Sequence, residues 1–390
     1  MTGLMAVLLT GCGSTASAGR AHDTTSIHGT VRLGLVTDLT GPDAIFGPPT
    51  VDVAKLAVAQ INAAGGIDGR KVQLLIEDDQ STPQGGLQAA QTLIEQDHVS
   101  ALVSMDSSAV RQAILPLAET SNTLYLYAPV FEGDACSSVL FTNGEVPNQQ
   151  LEPAIPWIQK ATGRTKWYLL GDNYIYPQKS FQVAKKYIAA ARGTVVGETF
   201  VPVGTTDYQA VIQKIKSSGA NIMLPYLVGS DAIDFEKQAY AAGLGNSKVQ
   251  VLAGLYPAQS LAAMGAQVAD GMDVSMGYFE QVPTAANAAF LEAYRAMFGA
   301  NAPTVNSLSE NTYVAIKAWG LAANKAKSTT VTALTKALEG LSFVAPAGKV
   351  TFQDNRYMEQ PIYIAQSQAN GSLKIIKSFG DIPAKQTCKA

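Results

Sequence analysis

The stretch Met105-Asp106-Ser107-Ser108 sets one acid and two hydroxyls directly ahead of a helix-forming run. Four other stretches put polar or aromatic residues at the end of a β-rich run: Tyr127-Ala128-Pro129, Tyr174-Ile175-Tyr176, Tyr226 to Asp231, and Leu255-Tyr256. Side chains of these types hold a small molecule by hydrogen bonds and flat apolar contact. A hydroxyl ahead of a helix also caps it, for about 1 kcal/mol, with or without a ligand. Both roles are expected of Ser107 and Ser108. Tyrosines at strand ends are also frequent core residues with one satisfied hydroxyl. Tyr174 and Tyr176, ahead of Pro177, are expected in a pocket, whereas Tyr226 and Tyr256 stand between core and pocket. Asp231, after Gly229-Ser230, is expected to cap the helix that follows. Asp106, if it faces the site, would welcome an N–H-rich or cationic ligand.

Bond-breaking chemistry has little to stand on. The three histidines, His22, His28 and His98, lie outside these stretches. There is no Gly-x-Ser-x-Gly elbow, P-loop, His-Glu-x-x-His or Cys-x-x-Cys. Gly243-Leu244-Gly245 is half a dinucleotide fingerprint, but it ends a helix and precedes a strand, the wrong context. Asn370-Gly371-Ser372 reads as a hairpin turn. No enzymatic activity, cofactor or metal is expected. A net charge of −3, with 28 Lys+Arg spread thinly, offers no basic cluster for nucleic acid. No apolar run approaches the ~18 residues that a membrane span needs.

The N-terminus carries an address. Met1 to Cys12 reads MTGLMAVLLTGC, an apolar stretch with small residues before the cysteine, and resembles a bacterial lipobox. Residues 1–11 are therefore expected to be a signal peptide, Cys12 the lipidated mature N-terminus, and residues 12–30 a flexible tether. The lipid anchor would be the only contact with the membrane, on its extracytoplasmic face. Cys136 and Cys388 remain as an even pair in an oxidising compartment. A bridge between them would fasten the tail to the body; two unrelated thiols are the alternative.

The elements that must position the site alternate. With 390 residues, 47% of them hydrophobic and 15% charged, the chain fits two ordered domains. Strand-like runs at Val31–Val36, Val72–Ile76, Ser100–Val103 and Leu124–Tyr127 are separated by helix-period segments. The pattern starts again at Trp167-Tyr168-Leu169-Leu170 and continues through Val195–Phe200, Ile222–Leu224, Val249–Leu252 and Met272–Val274. Strand-helix alternation of this kind implies parallel sheets covered on both faces. Helical periodicity returns over 285–298 and 308–325, and the chain finishes with strand-like 361–364 and 373–376. In open α/β sheets a ligand lies beyond the C-terminal strand ends, where helix N-termini present unpaired N–H groups.

The run from Arg32 to Asp79, with Ile61-Asn62-Ala63-Ala64-Gly65-Gly66-Ile67-Asp68-Gly69-Arg70, resembles the solute-binding proteins of branched-chain amino-acid, urea and short-chain amide importers. Pro147-Asn148-Gln149-Gln150, Asp172-Asn173-Tyr174-Ile175-Tyr176-Pro177 and Ala345-Pro346-Ala347-Gly348 add similarity to the urea and amide branch. The resemblance covers Val31 to about Ile376. It implies two doubly wound, flavodoxin-like α/β lobes joined by a three-crossover hinge, with the ligand cleft between them. The crossovers are expected near Pro147, Met276 and Phe343, giving lobe 1 as 31–147 with 277–343 and lobe 2 as 148–276 with 344–390.

The resemblance also implies partners and site residues. A monomer is expected, which passes a small-molecule ligand to the permease subunits of an ABC importer. Ser108 falls where a hydroxyl and N–H grip a ligand oxygen, and Phe46 where the family places an aromatic lid. Tyr127, Tyr174 and Tyr176 match pocket tyrosines of the amide branch, with Pro129 beside them. Two departures matter. Gly254-Leu255-Tyr256-Pro257 lacks the acid that pairs with an amino acid's ammonium, and Pro129-Val130-Phe131 lacks a hydroxyl. A zwitterion would leave one charge poorly paired in a closed cleft. A small neutral amide- or urea-like ligand, or an aromatic-bearing relative, is the expectation; a branched-chain or other amino acid, or a sensor role, is the alternative.

Overall fold

The computed structural model describes residues 29–386. The leader, most of the tether, Cys12 and Cys388 lie outside the described residues. The first half runs β1 (Val31–Thr37), α1 (Gly47–Ala63), β2 (Val72–Asp78), α2 (Pro83–Gln91), β3 (Ala101–Met105), α3 (Ser108–Thr120), β4 (Leu124–Tyr127), β5 (Leu140–Thr142) and α4 (Pro147–Thr162). A second series follows: β6 (Lys166–Asp172), α5 (Ile175–Ala190), β7 (Thr194–Val201), α6 (Gln209–Ser218), β8 (Ile222–Tyr226), α7 (Gly229–Ala241), β9 (Gln250–Ala253), α8 (Ala258–Met264), α9 (Ala266–Ala269) and β10 (Asp273–Met276). The chain ends with α10 (Ala285–Phe298), α11 (Ser307–Ala326), α12 (Val331–Leu338), β11 (Ser342–Ala345), β12 (Gly348–Phe352), β13 (Met358–Ser367) and β14 (Leu373–Ile382).

Two sheets result. The first is parallel, in the order β2-β1-β3-β4-β5. The second repeats that winding as β7-β6-β8-β9-β10 and continues antiparallel through β13, which pairs with β12 and β14. In each sheet the strand order reverses beside the first strand, leaving a crevice at the strand ends. The helical return segment belongs with the first sheet. On α1, Val53, Leu56, Ala57 and Ile61 are buried at helical spacing, and α11 packs on that face. Gly320 on α11 lets the two backbones approach: a Cβ there would sit 2.7 Å from Ile61 Cδ1. Because α11 lies between α1 and β3, it is buried nearly all round, including Trp319.

Several elements differ from the sequence expectation, for local reasons. Helix α2 begins at Pro83, behind the Thr82 cap, although Gly85-Gly86 weakens its helical signal. Gly86 is needed for contact, since a Cβ there would collide with Val110. Helix α7 begins at Gly229, so Asp231 sits in its first turn instead of capping it, and accepts from Gly204 N–H at 2.7 Å. Strands β5, β11 and β12 are three to five residues long, too short for a period to register. The hairpin turn at Asn370-Gly371-Ser372 is present: Asn370 Oδ1 accepts from Ser372 N–H at 3.0 Å, and Gly371 has φ +80°.

Candidate functional site

Six parallel strands, β1, β3 and β4 from one sheet and β6, β8 and β9 from the other, end on a common cleft. From the first sheet come Asp38 after β1, Asp43 and Phe46 in the following turn, Met105 to Ser108 after β3, and Pro129-Val130 after β4. From the second come Tyr174 and Tyr176 after β6, Val228 after β8 and Leu255 after β9, while α11 adds Leu308. The two halves touch across the cleft, where Ser230 N–H donates to Pro42 O at 3.3 Å.

Of the residues singled out in the sequence, the fold brings Phe46, Asp106, Ser107, Ser108, Pro129, Tyr174 and Tyr176 together on this cleft. The other three, Tyr127, Tyr226 and Tyr256, are fully buried and stand outside this lining. Tyr127 donates to Asp106 O at 2.9 Å and lies against the Arg111 guanidinium. Tyr226 sits edge-on to Tyr176, 5.1 Å between ring centroids, with its hydroxyl towards Gln150 Oε1. Tyr256 donates to Glu236 Oε1 at 2.9 Å. That carboxylate, held up to about 8 by burial despite the Tyr256 bond, stands behind the loop in which the sequence shows no acid.

The two serines divide their labour. Ser107 is the N-cap of α3, its Oγ accepting from Val110 N–H at 3.3 Å. Ser108, one residue on, is 2% exposed, lines the cleft, and its Oγ has no partner. Beside it, neither carboxylate oxygen of Asp106 has a partner in hydrogen-bond geometry, the nearby Ser104 hydroxyl being bonded to Tyr125, and the Tyr176 hydroxyl, close to Tyr226, has none either. Unpartnered polar atoms are rare in protein interiors and cost about 1–3 kcal/mol each. Here they line one cleft.

The electrostatics of the cleft are acidic. Burial pushes Asp38 well above the usual carboxylate range, and repulsion from Asp43, Asp79 and Asp106 adds to it. Asp43 is raised to about 7 by burial, then by Asp79 and by Asp231 from the other sheet. Asp79, buried behind Asp38, is raised to about 6 by burial. Burial and Asp79 raise Asp106 well above its ordinary value, against the pull of the Ser104 hydroxyl and Arg111. Burial and Asp231 do the same to Asp172. Asp38, Asp43 and Asp79 escaped notice in the sequence. The signal was there: an acid ends or follows each of β1, β2 and β3, and these strands are neighbours. Among the described residues, no group of three or more His, Cys, Asp or Glu is arranged to hold a metal ion.

Residues 30–372 match one protein family, described as periplasmic binding protein. The chain belongs to that family. A Leu/Ile/Val-binding protein homolog from Brucella melitensis is 26% identical over 359 residues, covering 90% of this chain and 94% of that one. Among solved structures, an R. palustris ABC-transporter solute-binding protein in complex with 4-hydroxybenzoate is similar, with a TM-score of 0.82 at 22% identity. It covers 91% of this chain and 98% of that one. A branched-chain amino acid transporter substrate-binding protein from Streptococcus pneumoniae, in complex with isoleucine, has a TM-score of 0.79 at 21% identity over 91% and 99%. The fold of this periplasmic binding protein is accordingly the two-lobed α/β clamp that the sequence resemblance implied.

Proposed function

We propose that this protein is the extracytoplasmic solute-binding component of an ABC importer, which closes its two lobes on a small N–H-bearing solute and presents it to the permease. One observation carries this: Asp106, Ser108 and Tyr176 bring unpartnered, buried polar atoms from both sheets to one cleft. A ligand that partners them recovers their desolvation cost and links the lobes in one act. Amides and ureas, anticipated from the sequence, have the required N–H groups, as do amines and amidines. Phe46 and Tyr174 offer flat walls for the rest of the molecule. The R. palustris relative holds an aromatic acid and the streptococcal one an amino acid; here three carboxylates on the cleft disfavour a ligand carboxylate.

The remaining parts of the proposal follow from this role. Residues 31–147 with 277–343, and 148–276 with 344–390, move as the two lobes of a monomer, and Cys12 anchors it to the membrane by lipid. Cys136 pairs with Cys388. In support, the tail runs to the Cys136 loop: Asn355 Nδ2 donates to Gln386 O at 3.0 Å, and the Gln386 side chain covers Gly133.

The test is a thermal-shift panel of amides, ureas, amines, amino acids and aromatic acids, with calorimetry on every compound that raises the melting temperature. Stabilisation by N–H-rich solutes is expected. Stabilisation by leucine or aromatic acids alone, or by nothing in the panel, would overturn the proposal.

A further inference from the structure

We propose that the solute held by this cleft is an organic cation: an amine, amidinium or guanidinium carrying an apolar portion and no carboxylate. The inference rests on the solute-binding reading above and deepens it by naming the charge. Asp38, Asp43 and Asp106 line the cleft, and no lysine, arginine or histidine lines it. Asp79 stands behind Asp38, and Asp172 and Asp231, buried on the facing side, add their repulsion to Asp43. Among the described residues, the base that acts on Asp106 is Arg111, and it is already engaged. Its guanidinium pairs with Glu132 and lies over the rings of Tyr127 and Phe131, 4.9 and 4.8 Å from their centroids.

An acidic cluster can be a solvated surface feature, and this one is buried, with the Asp38 and Asp79 carboxyls hydrogen-bonded to each other. Both oxygens of Asp106 are buried and unpartnered, as are Asp38 Oδ1 and Asp43 Oδ1. Each of these three residues also lines the cleft. Carboxylates in that setting either keep a proton or take a cation. A bare metal ion is a poor candidate, because the acids do not converge into a coordination site among the described residues. Phe46, Val130, Val228, Leu255 and Leu308 supply apolar contact that a hydrated metal would waste and an organic cation would use. Phe46 and Tyr174 also present aromatic rings, whose faces attract cations. A zwitterion adds no net positive charge, and its carboxylate would have to sit among these acids.

Protons held by the cleft carboxylates before binding would be displaced by the cation, so binding should release protons and tighten as pH rises through the weakly acidic range.

Two sets of near-isosteric probes test the charge. Benzamidine, benzamide and benzoate form one set; isopentylamine, isovaleramide and isovalerate form the other. In calorimetry at neutral pH, the cation of at least one set should bind about 10-fold or more tighter than its neutral partner. Titrations in two buffers of different ionisation enthalpy should show net proton release. In Asp106→Asn, whose amide relieves repulsion and so should not impair folding, the cation-to-neutral affinity ratio should fall about 10-fold. Equal or tighter binding of a neutral or anionic member would overturn the cation assignment while leaving solute binding intact. An unchanged ratio in Asp106→Asn would overturn it as well. No binding by any of the six would overturn both proposals.

Discussion

Ser307 at the start of α11 donates a 2.6 Å hydrogen bond to Glu145 Oε1, a buried carboxylate in the crossover between β5 and α4. The same oxygen accepts from Gly277 N–H, where the second crossover leaves β10, and Oε2 accepts from Asn311 Nδ2 at 3.0 Å. One side chain thus ties the first connection to the second and to the helix that rests on the first sheet. Asn143, two residues earlier, adds a bond to Asn311 O and takes one from Gln360 on β13. The hinge is therefore a polar, fully buried knot, and its integrity depends on an acceptor with two free oxygens.

Glu145→Gln replaces one of those oxygens with a donor that must face another donor. Stability should fall by about 1–3 kcal/mol, the cost of leaving a buried polar group unmatched. Urea unfolding checks it: the midpoint should drop with little change in slope. A midpoint within error of the parent would contradict this hydrogen-bond arrangement.

Closure has its own steric requirement at Gly229. This residue opens α7 with φ +51°, and a Cβ built there would collide with Pro42 O and Asp43 Oδ1, both from the facing lobe. Gly229→Ala should therefore hinder closure more than folding. Affinity for the bound solute should drop about 10-fold, while the strained φ alone costs only about 1 kcal/mol. Small-angle scattering in the presence of ligand should show a more open particle than the parent. An unchanged affinity would remove Gly229 from the closing surface.

The buried acids set the pH dependence of the ligand-free protein. Asp43 is raised to about 7 and Asp79 to about 6, chiefly by burial, and Asp273, on β10, is raised to about 7 by burial as well. Unfolded aspartates titrate near about 3.9. Between that value and the folded ones, the folded protein binds more protons than the unfolded chain. Stability from these groups is thus fully present below about pH 4 and is lost as pH rises through 6 to 7. Melting temperatures between pH 4.5 and 7.5 should fall with rising pH, and Asp43→Asn should flatten the trend. A melting temperature that climbs across that window would contradict the burial of these acids.

Much of the fold was legible because strand and helix periods alternate along both halves, and the strand-end rule pointed to Asp106, Ser108, Tyr174 and Tyr176. What escaped was set by faces and neighbours. Along Leu124-Tyr125-Leu126-Tyr127 the period of two puts both tyrosines on one side of β4. That side faces Ile114, Val110 and Arg111 of α3, so Tyr127 joins a core instead of the cleft. The acids at the ends of β1, β2 and β3 lie far apart in the chain, and only the strand order β2-β1-β3 makes them one group.

Adjacent serines at the head of α3 allow capping and binding to be separated by mutation. Ser107 has the extended backbone of an N-cap, φ −74° and ψ 158°, and its hydroxyl satisfies Val110 N–H. Removing it leaves that N–H without its side-chain partner, so Ser107→Ala should cost about 1 kcal/mol of stability. Ser108 is the first helical residue, and its buried hydroxyl, near that of Tyr127, caps no helix N–H and has no partner in hydrogen-bond geometry. Ser108→Ala removes an unpartnered polar atom and should change stability by no more than about 0.5 kcal/mol, while losing a ligand hydrogen bond that contributes about 0.5–1.5 kcal/mol. That corresponds to a roughly 2- to 12-fold weaker dissociation constant. Denaturant midpoints and calorimetry on both variants give the pattern. If Ser108→Ala binds as tightly as the parent, its hydroxyl does not contact the solute.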